Sequence, residues 1–232
     1  MLNPAEWSAL EQARRHLVLP RHLSRFDDSP LVRPPDHRAL EDELRLQLLS
    51  KDPEQLRDGL ANVLYWLYQL DGAGQDGIWA FRAGARRWAL VEALRLLDGL
   101  EGPGLVRLEG LKLPGFRDLR SLSALRMFLD PRRYACLSTA HLGLAAEPGH
   151  SVIHEFAAAR ATDLFQPRHE VHYQRWCRIC GRLAAALPPE EDWRCADVER
   201  ALGSLAALGE GETALRLIAL GESLPEAGME GA

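Results

Sequence analysis

The segment GLKLPGFRDLRSLSALRMFLDPRRYACLS, residues 110–138, sets the architecture of this chain. Leu113-Pro114-Gly115-Phe116 reads as a tight turn between a short helix near Leu105 to Leu111 and a second helix that runs to Leu129. Asp130-Pro131 then stops that helix, because a residue preceding proline is driven out of the helical region. From Arg107 to Arg133, seven basic residues stand against three acidic ones, a net of +4 over 27 residues. Such a run is either a solvated helix face or a surface for an anionic partner.

On both sides of the turn the pattern is helical. Asn3-Pro4-Ala5-Glu6 has the signature of a capped helix start, with Pro4 at the first helical position, and the helix should reach about His16. An irregular link with Pro20, Pro30, Pro34 and Pro35 follows, and Leu40, Leu44 and Leu48 then recur at helical spacing. Asp52-Pro53 opens the most apolar helix, with Leu56, Leu60, Val63, Leu64 and Leu67 along one side. Gly72, Gly74 and Gly77 are expected to break it before a helix through Trp88, Val91, Leu94 and Leu97. Further helices are expected at about 135–145, 151–165, 168–187, 192–208 and 211–221, with a frayed tail after Leu224. Period-two alternation is nearly absent, so the expected class is all-α. The expected division is an N-terminal helix and link over 1–36, a helical domain over 37–224 and the tail over 225–232.

Composition bounds the function. With 232 residues and 47% hydrophobic content, the chain can bury a substantial core without disulfides or metal. No stretch approaches the ~18 consecutive apolar residues of a membrane span, and MLNPAEWSAL lacks a signal-peptide core, so a cytoplasmic protein without membrane contact is expected. Four cysteines, Cys136, Cys177, Cys180 and Cys195, should be thiols. The formal charge of −5 disfavours nucleic acid at first sight, but residues 188–232 carry −7 and residues 1–187 carry +2. The excess acid belongs to the C-terminal part.

The hairpin segment resembles the helix-hairpin-helix DNA glycosylases, in which an LPGVG turn between two helices presents backbone amides to a DNA phosphate. Leu113, Pro114 and Gly115 match that turn, while Arg117 replaces the family's second glycine. The runs GLANVLYWLYQ (59–69), MFLDPRRY (127–134) and WRCADVERAL (193–202) are similar to blocks of uncharacterised bacterial proteins with an oxoguanine-glycosylase-like fold, a likeness covering about residues 40 to 205. The resemblance implies a two-lobed helical fold, double-stranded DNA as partner, no cofactor, and a hairpin whose Gly115 and neighbouring helix N-terminus approach a phosphate. Arg117, Arg120, Arg132 and Arg133 would then hold phosphates. The family's Schiff-base lysine falls here on Leu119 and its catalytic aspartate on Ser138, so lyase chemistry of the usual kind is not expected and hydrolysis would need another carboxylate.

Asp58, Asn62 and Tyr65 share a helix face with Trp66 beside them. As a base-flipping pocket, this face would use Asn62 to read the base edge, Tyr65 and Trp66 to stack on it, and Asp58 as the carboxylate. The other reading is that Asn62 satisfies a buried backbone group and the rings are core. Asp118 fits a structural role near the helix N-terminus, Asp130 a helix junction, and Arg194, Asp197 and Glu199 caps or ion pairs between the lobes.

Cys177 and Cys180, with His169 and His172 upstream, suggest either a zinc site or small buried thiols. Glu170 and Ala186 occupy the positions that would complete an iron–sulfur loop. Neither a G-x-S-x-G elbow nor a P-loop occurs, which removes the common serine hydrolases and nucleotide hydrolases. The sequence therefore points to a DNA glycosylase acting on a modified base, with defence against phages carrying modified DNA as an analogy. A catalytically inactive glycosylase-fold module that binds DNA or protein is the alternative, and an acidic interaction protein is a third.

Overall fold

The computed structural model describes residues 3–16, 19–24, 26, 31–71, 75–97, 104–137 and 164–225. Among these residues there are ten α-helices, one 3-10 turn over Pro189–Glu191 and no strand, so the chain is all-α. The helices are α1 (Pro4–His16), α2 (His37–Leu48), α3 (Pro53–Asp71), α4 (Gln75–Gly84), α5 (Arg87–Leu97), α6 (Leu105–Gly110), α7 (Leu119–Leu129), α8 (Pro167–Ala186), α9 (Cys195–Ala207) and α10 (Gly211–Ser223). Of the helices expected at 135–145 and 151–165, residues 138–163 lie outside the described residues, and Ala135, Cys136 and Leu137 are not helical. The expected frayed tail also lies outside them from residue 226 onward.

The chain divides into two compact units that are not contiguous in sequence. One comprises residues 18–130 with 164–167, and the other residues 1–17, 131–163 and 168–232. By this division α1 groups with the C-terminal helices and the proline-rich link with the middle of the chain.

In the central unit, α3 is the axis and packs against α2, α4, α5 and α7. Asp36 caps α2 by accepting from the Ala39 amide at 2.8 Å, and Asp52 accepts from the Glu54 amide at 3.0 Å just ahead of Pro53. These oxygens satisfy donors that a helix start leaves unpaired. Leu56, Leu60, Val63, Leu64 and Leu67 are buried as their spacing predicts. α2 crosses so closely that a Cβ on Gly59 would lie 2.9 Å from Gln47 Cβ. Every residue of α7 is buried, including Arg120, Ser121, Ser123 and Arg126, which marks a core helix rather than an amphipathic one. Gly77 does not end a helix but sits inside α4, where a Cβ would meet nothing within 4 Å. The propensity cost of one glycine, about 1 kcal/mol, is small beside the burial of Ile78 and Phe81.

In the other unit, α1 packs against α9 and α10 through Leu10 and Ala13. The Asn3 amide donates to Glu6 and the Glu6 amide to Asn3, each at 2.9 Å, which is the expected reciprocal cap. α8 contributes Tyr173, whose hydroxyl donates to the Ala135 carbonyl at 2.9 Å, and Trp176. Asp192, at φ 45°, ends the 3-10 turn in the left-handed region, so α9 starts at Cys195 rather than near 192. No described helix is long and apolar enough to cross a membrane.

Candidate nucleic-acid interface

The hairpin is built from the inside outward. Leu113 and Phe116 are buried, and the Phe116 amide donates to the Leu113 carbonyl at 3.1 Å, closing a four-residue turn. Pro114 takes the second position and Gly115, with φ +81°, the third, the arrangement a type II turn requires. Gly115 is needed twice over. Its φ excludes ordinary side chains, and a Cβ there would sit 2.7 Å from Leu64 Cδ1 and 3.4 Å from the Gly77 carbonyl oxygen. The Cβ side of the turn therefore faces α3 and α4.

Helix α4 seats the hairpin along one stripe. Phe81 meets Phe116 edge-on, with centroids 5.9 Å apart, and a Cβ on Gly84 would lie 3.2 Å from Pro114 Cγ. Beyond the turn, Asp118 accepts from the Ser121 amide at 2.7 Å and so caps α7. Burial raises its pKa above the ordinary carboxylate value, outweighing the hydrogen bonds from Ser121 and the charge of Arg120. Arg117 is exposed, and its carbonyl accepts from the Phe165 amide at 2.7 Å. Lys112 is exposed as well and pairs with Glu109.

Of the expected phosphate-holding arginines, Arg117 alone is both exposed and on the hairpin. Arg120 requires a correction: it is buried and donates from Nη2 to the Leu67 carbonyl at 3.0 Å, so its guanidinium ties α7 to the end of α3. A positive total over this segment could not separate a buried brace from a solvated cation. Arg132 and Arg133 lie in the other unit and are exposed. Arg132 pairs with Asp192 at 3.1 Å, and its carbonyl accepts from the Cys195 amide at 3.4 Å.

The expected base pocket is also changed. Asn62 is 1% exposed and its amide is fully engaged, accepting from the Ser24 amide at 2.8 Å and donating to the Ser24 carbonyl at 3.0 Å and to Gln47 Oε1 at 3.2 Å. It pins the irregular link and has no free edge for a base. Trp66 is likewise core, edge-on to Phe128 with centroids 5.1 Å apart. Asp58 and Tyr65 remain accessible. The Asp58 side chain is 41% exposed and Oδ1 receives Arg82 Nη1 at 3.1 Å. The Arg82 guanidinium lies 4.5 Å from the Phe26 ring centroid, Phe26 meets Tyr65 edge-on at 6.5 Å, and Tyr65 stacks with Tyr68 at 6.4 Å. Phe26 holds this row at φ 56°, a conformation L-residues seldom adopt.

Arg82, Phe26 and Tyr68 were not singled out from the sequence. For Tyr68 the signal was present, since it follows Tyr65 at i+3; for Phe26, in a link without periodicity, there was none.

In the other unit, Arg194 and Asp197 form a buried pair at the start of α9. Arg194 Nε donates to Oδ2 at 2.9 Å and Nη2 to Oδ1 at 2.8 Å. Burial raises the Asp197 pKa, but the Arg194 hydrogen bonds and charge, with Arg200 and Arg14, overcome it and leave the carboxyl below its ordinary value. All four cysteines are buried and free. Burial lifts the thiol pKa of Cys177 and Cys195 well above the usual range, and that of Cys180 less. No group of three or more His, Cys, Asp or Glu suited to a metal ion occurs among the described residues, so His169, His172, Cys177 and Cys180 do not gather as ligands.

Compared with protein-family models, curated proteins and solved structures, the chain matches none.

Proposed function

We propose that this protein binds DNA as a helix-hairpin-helix module of the glycosylase type, gripping the sugar-phosphate backbone at the turn Leu113–Phe116 and Arg117, and that it is a binding module rather than a base-excising enzyme. The observation that carries this reading is the division of labour around α3. The turn is clamped from within by Leu113 and Phe116 and leaves Arg117 exposed, whereas Asn62 and Trp66, which would read and stack a flipped base, are consumed by the core. A rigidly held turn that presents a cation suits backbone positioning, which needs no base contact. The central unit is close to neutral in formal charge, so affinity would come from the turn's backbone and Arg117 and fall as salt rises.

The test is duplex affinity between ~50 and ~200 mM salt, with the wild type and Arg117→Ala. The expected outcome is salt-dependent binding whose slope falls by about one in the variant, the signature of one lost phosphate contact. Absence of salt-dependent binding would overturn the proposal.

One observation favours a second reading, base excision. The partly exposed Asp58 carboxylate adjoins Arg82 at the end of the Phe26, Tyr65 and Tyr68 row, a carboxylate beside stacking surfaces. Release of free base from modified duplexes, abolished by Asp58→Asn, would establish this second reading in place of the first.

A further inference from the structure

Two of the large exposed apolar residues of the central unit are tryptophans close to the hairpin's seat, Trp79 in the middle of α4 and Trp88 in the first turn of α5. Trp79 is 63% exposed and Trp88 60%. An indole left in water forgoes the burial of an amphipathic ring, and exposed aromatics beside cations are a recurrent feature of surfaces that stack unpaired bases.

Their placement is fixed by the hairpin itself. Trp79 follows Gly77, whose carbonyl faces Gly115, by two residues, and Trp88 follows Gly84, which abuts Pro114, by four. At a reach of at most ~3.6 Å per residue, the two Cα atoms lie within about 7 Å and about 14 Å of those contact points. A strand rising ~3.4 Å per nucleotide covers that distance in roughly two to four nucleotides.

The charge between them is positive. Residues 75–88 carry Arg82, Arg86 and Arg87 against Asp76. Arg82 is taken by Asp58, but Arg86 and Arg87 are exposed at the α4–α5 corner next to Trp88. Each of these arginines offers an anion contact within two residues of the Trp88 indole.

We propose that the α4–α5 corner, with Arg86, Arg87 and Trp88 and with Trp79 in the middle of α4, binds unpaired DNA that continues from the backbone held by the hairpin. Trp88 stacks on a base and the two arginines hold the adjoining phosphates. This inference rests on the hairpin reading above and adds its substrate class: DNA with a single-stranded or opened stretch beside the duplex. A closed duplex keeps its base faces stacked inside and gives Trp88 nothing to stack on. Charge complementarity commits the surface to a nucleic acid, whereas an apolar protein partner would leave Arg86 and Arg87 to be desolvated without a counter-charge.

The test uses the full chain and two fluorescent probes, an oligothymidine and a blunt duplex of the same length, at fixed salt. Trp88→Ala should weaken oligothymidine binding about tenfold while changing duplex affinity less than twofold, and Trp88→Phe should recover most of the loss. The Arg86→Ala/Arg87→Ala double variant should weaken oligothymidine binding and lower its salt slope. Oligothymidine affinity that is undetectable, or unchanged in both variants, overturns the corner proposal. Arg117→Ala, measured on the duplex in parallel, reads the hairpin separately. If it weakens duplex binding while the corner variants leave oligothymidine binding intact, only the corner fails; if it has no effect while Trp88→Ala weakens oligothymidine binding, only the hairpin reading fails.

Discussion

Asn62 on α3 holds Ser24 by both edges of one peptide-like contact: its Oδ1 accepts from the Ser24 amide at 2.8 Å and its Nδ2 donates to the Ser24 carbonyl at 3.0 Å. The link between α1 and α2 has no helix ladder of its own here, so a side chain on the neighbouring core helix supplies its missing hydrogen bonds. Asn62→Ala leaves both Ser24 groups unpaired in a partly buried place. It should lower unfolding stability by about 2–4 kcal/mol, the lower part of ~1–3 kcal/mol for each of two orphaned groups, because Ser24 is only half-buried. Urea unfolding should show a lower midpoint with unchanged slope, and duplex affinity of the folded variant should equal that of the wild type.

Gly115→Ala meets two penalties together, the left-handed φ of +81° and the contact with Leu64 Cδ1 at 2.7 Å. The combined cost should be about 2–4 kcal/mol. Gly110→Ala, in the same hairpin but with nothing within 4 Å of its Cβ, is the control and should be neutral or slightly stabilising.

The carboxyls of Asp197 and Asp118 should respond to pH in opposite senses. The Asp197 pKa is lowered in the folded state, so its stabilisation is fully present above the unfolded value of ~3.9 and is lost as pH falls through the folded value. Asp197→Asn should cost about 3–5 kcal/mol at neutral pH, because the buried Arg194 loses the charge of this carboxylate, and should flatten the loss of stability below pH ~4. The Asp118 pKa is raised, so ionisation there disfavours the folded state, a penalty that sets in as pH climbs past the unfolded value and is complete above the folded one. Asn caps as well as Asp does, so Asp118→Asn should be neutral or stabilising at pH 7. Chemical denaturation at pH 7 and pH 3 separates the two cases.

The four thiols should be silent in the native protein. Cys136, Cys177, Cys180 and Cys195 are all buried, and burial disfavours the reactive thiolate, most strongly at Cys177 and Cys195. A disulfide-exchange reagent at pH 8 should count no thiols within minutes before denaturation and four after it.

Much of the fold was legible because its signals are local. The Asn3 and Glu6 cap, the Asp52-Pro53 start, the leucine stripe of α3 and the Asp130-Pro131 stop each depend on residues a few positions apart, and each is present. What failed were inferences that needed the third dimension. Asn62 stayed open between reading a base and satisfying a buried backbone group, because the group it satisfies, on Ser24, lies 38 positions away in a link without periodicity. Arg120 looked like a surface cation because the helix carrying it is polar at intervals, yet α7 is enclosed on every side. Gly77 read as a breaker because glycine propensity is a weak local term that tertiary packing of Ile78 and Phe81 overrides. Trp88 matched the apolar pattern of a core, and only its exposure separates it from one.

The chain order of the two units sets a sequence of events during synthesis. The residues of α1 emerge before those of the central unit, but their packing partner α9 begins at Cys195, roughly 190 residues after the start of α1. At ~5–20 residues per second, Leu10 and Ala13 wait about ten to forty seconds for the surface that buries them. The central unit is encoded almost without interruption from residue 18 to residue 130 and can close around α3 in that interval. During that interval the nascent chain holds a closed middle behind a helix whose apolar face is uncovered, and α1 is the part that a chaperone or a protease meets.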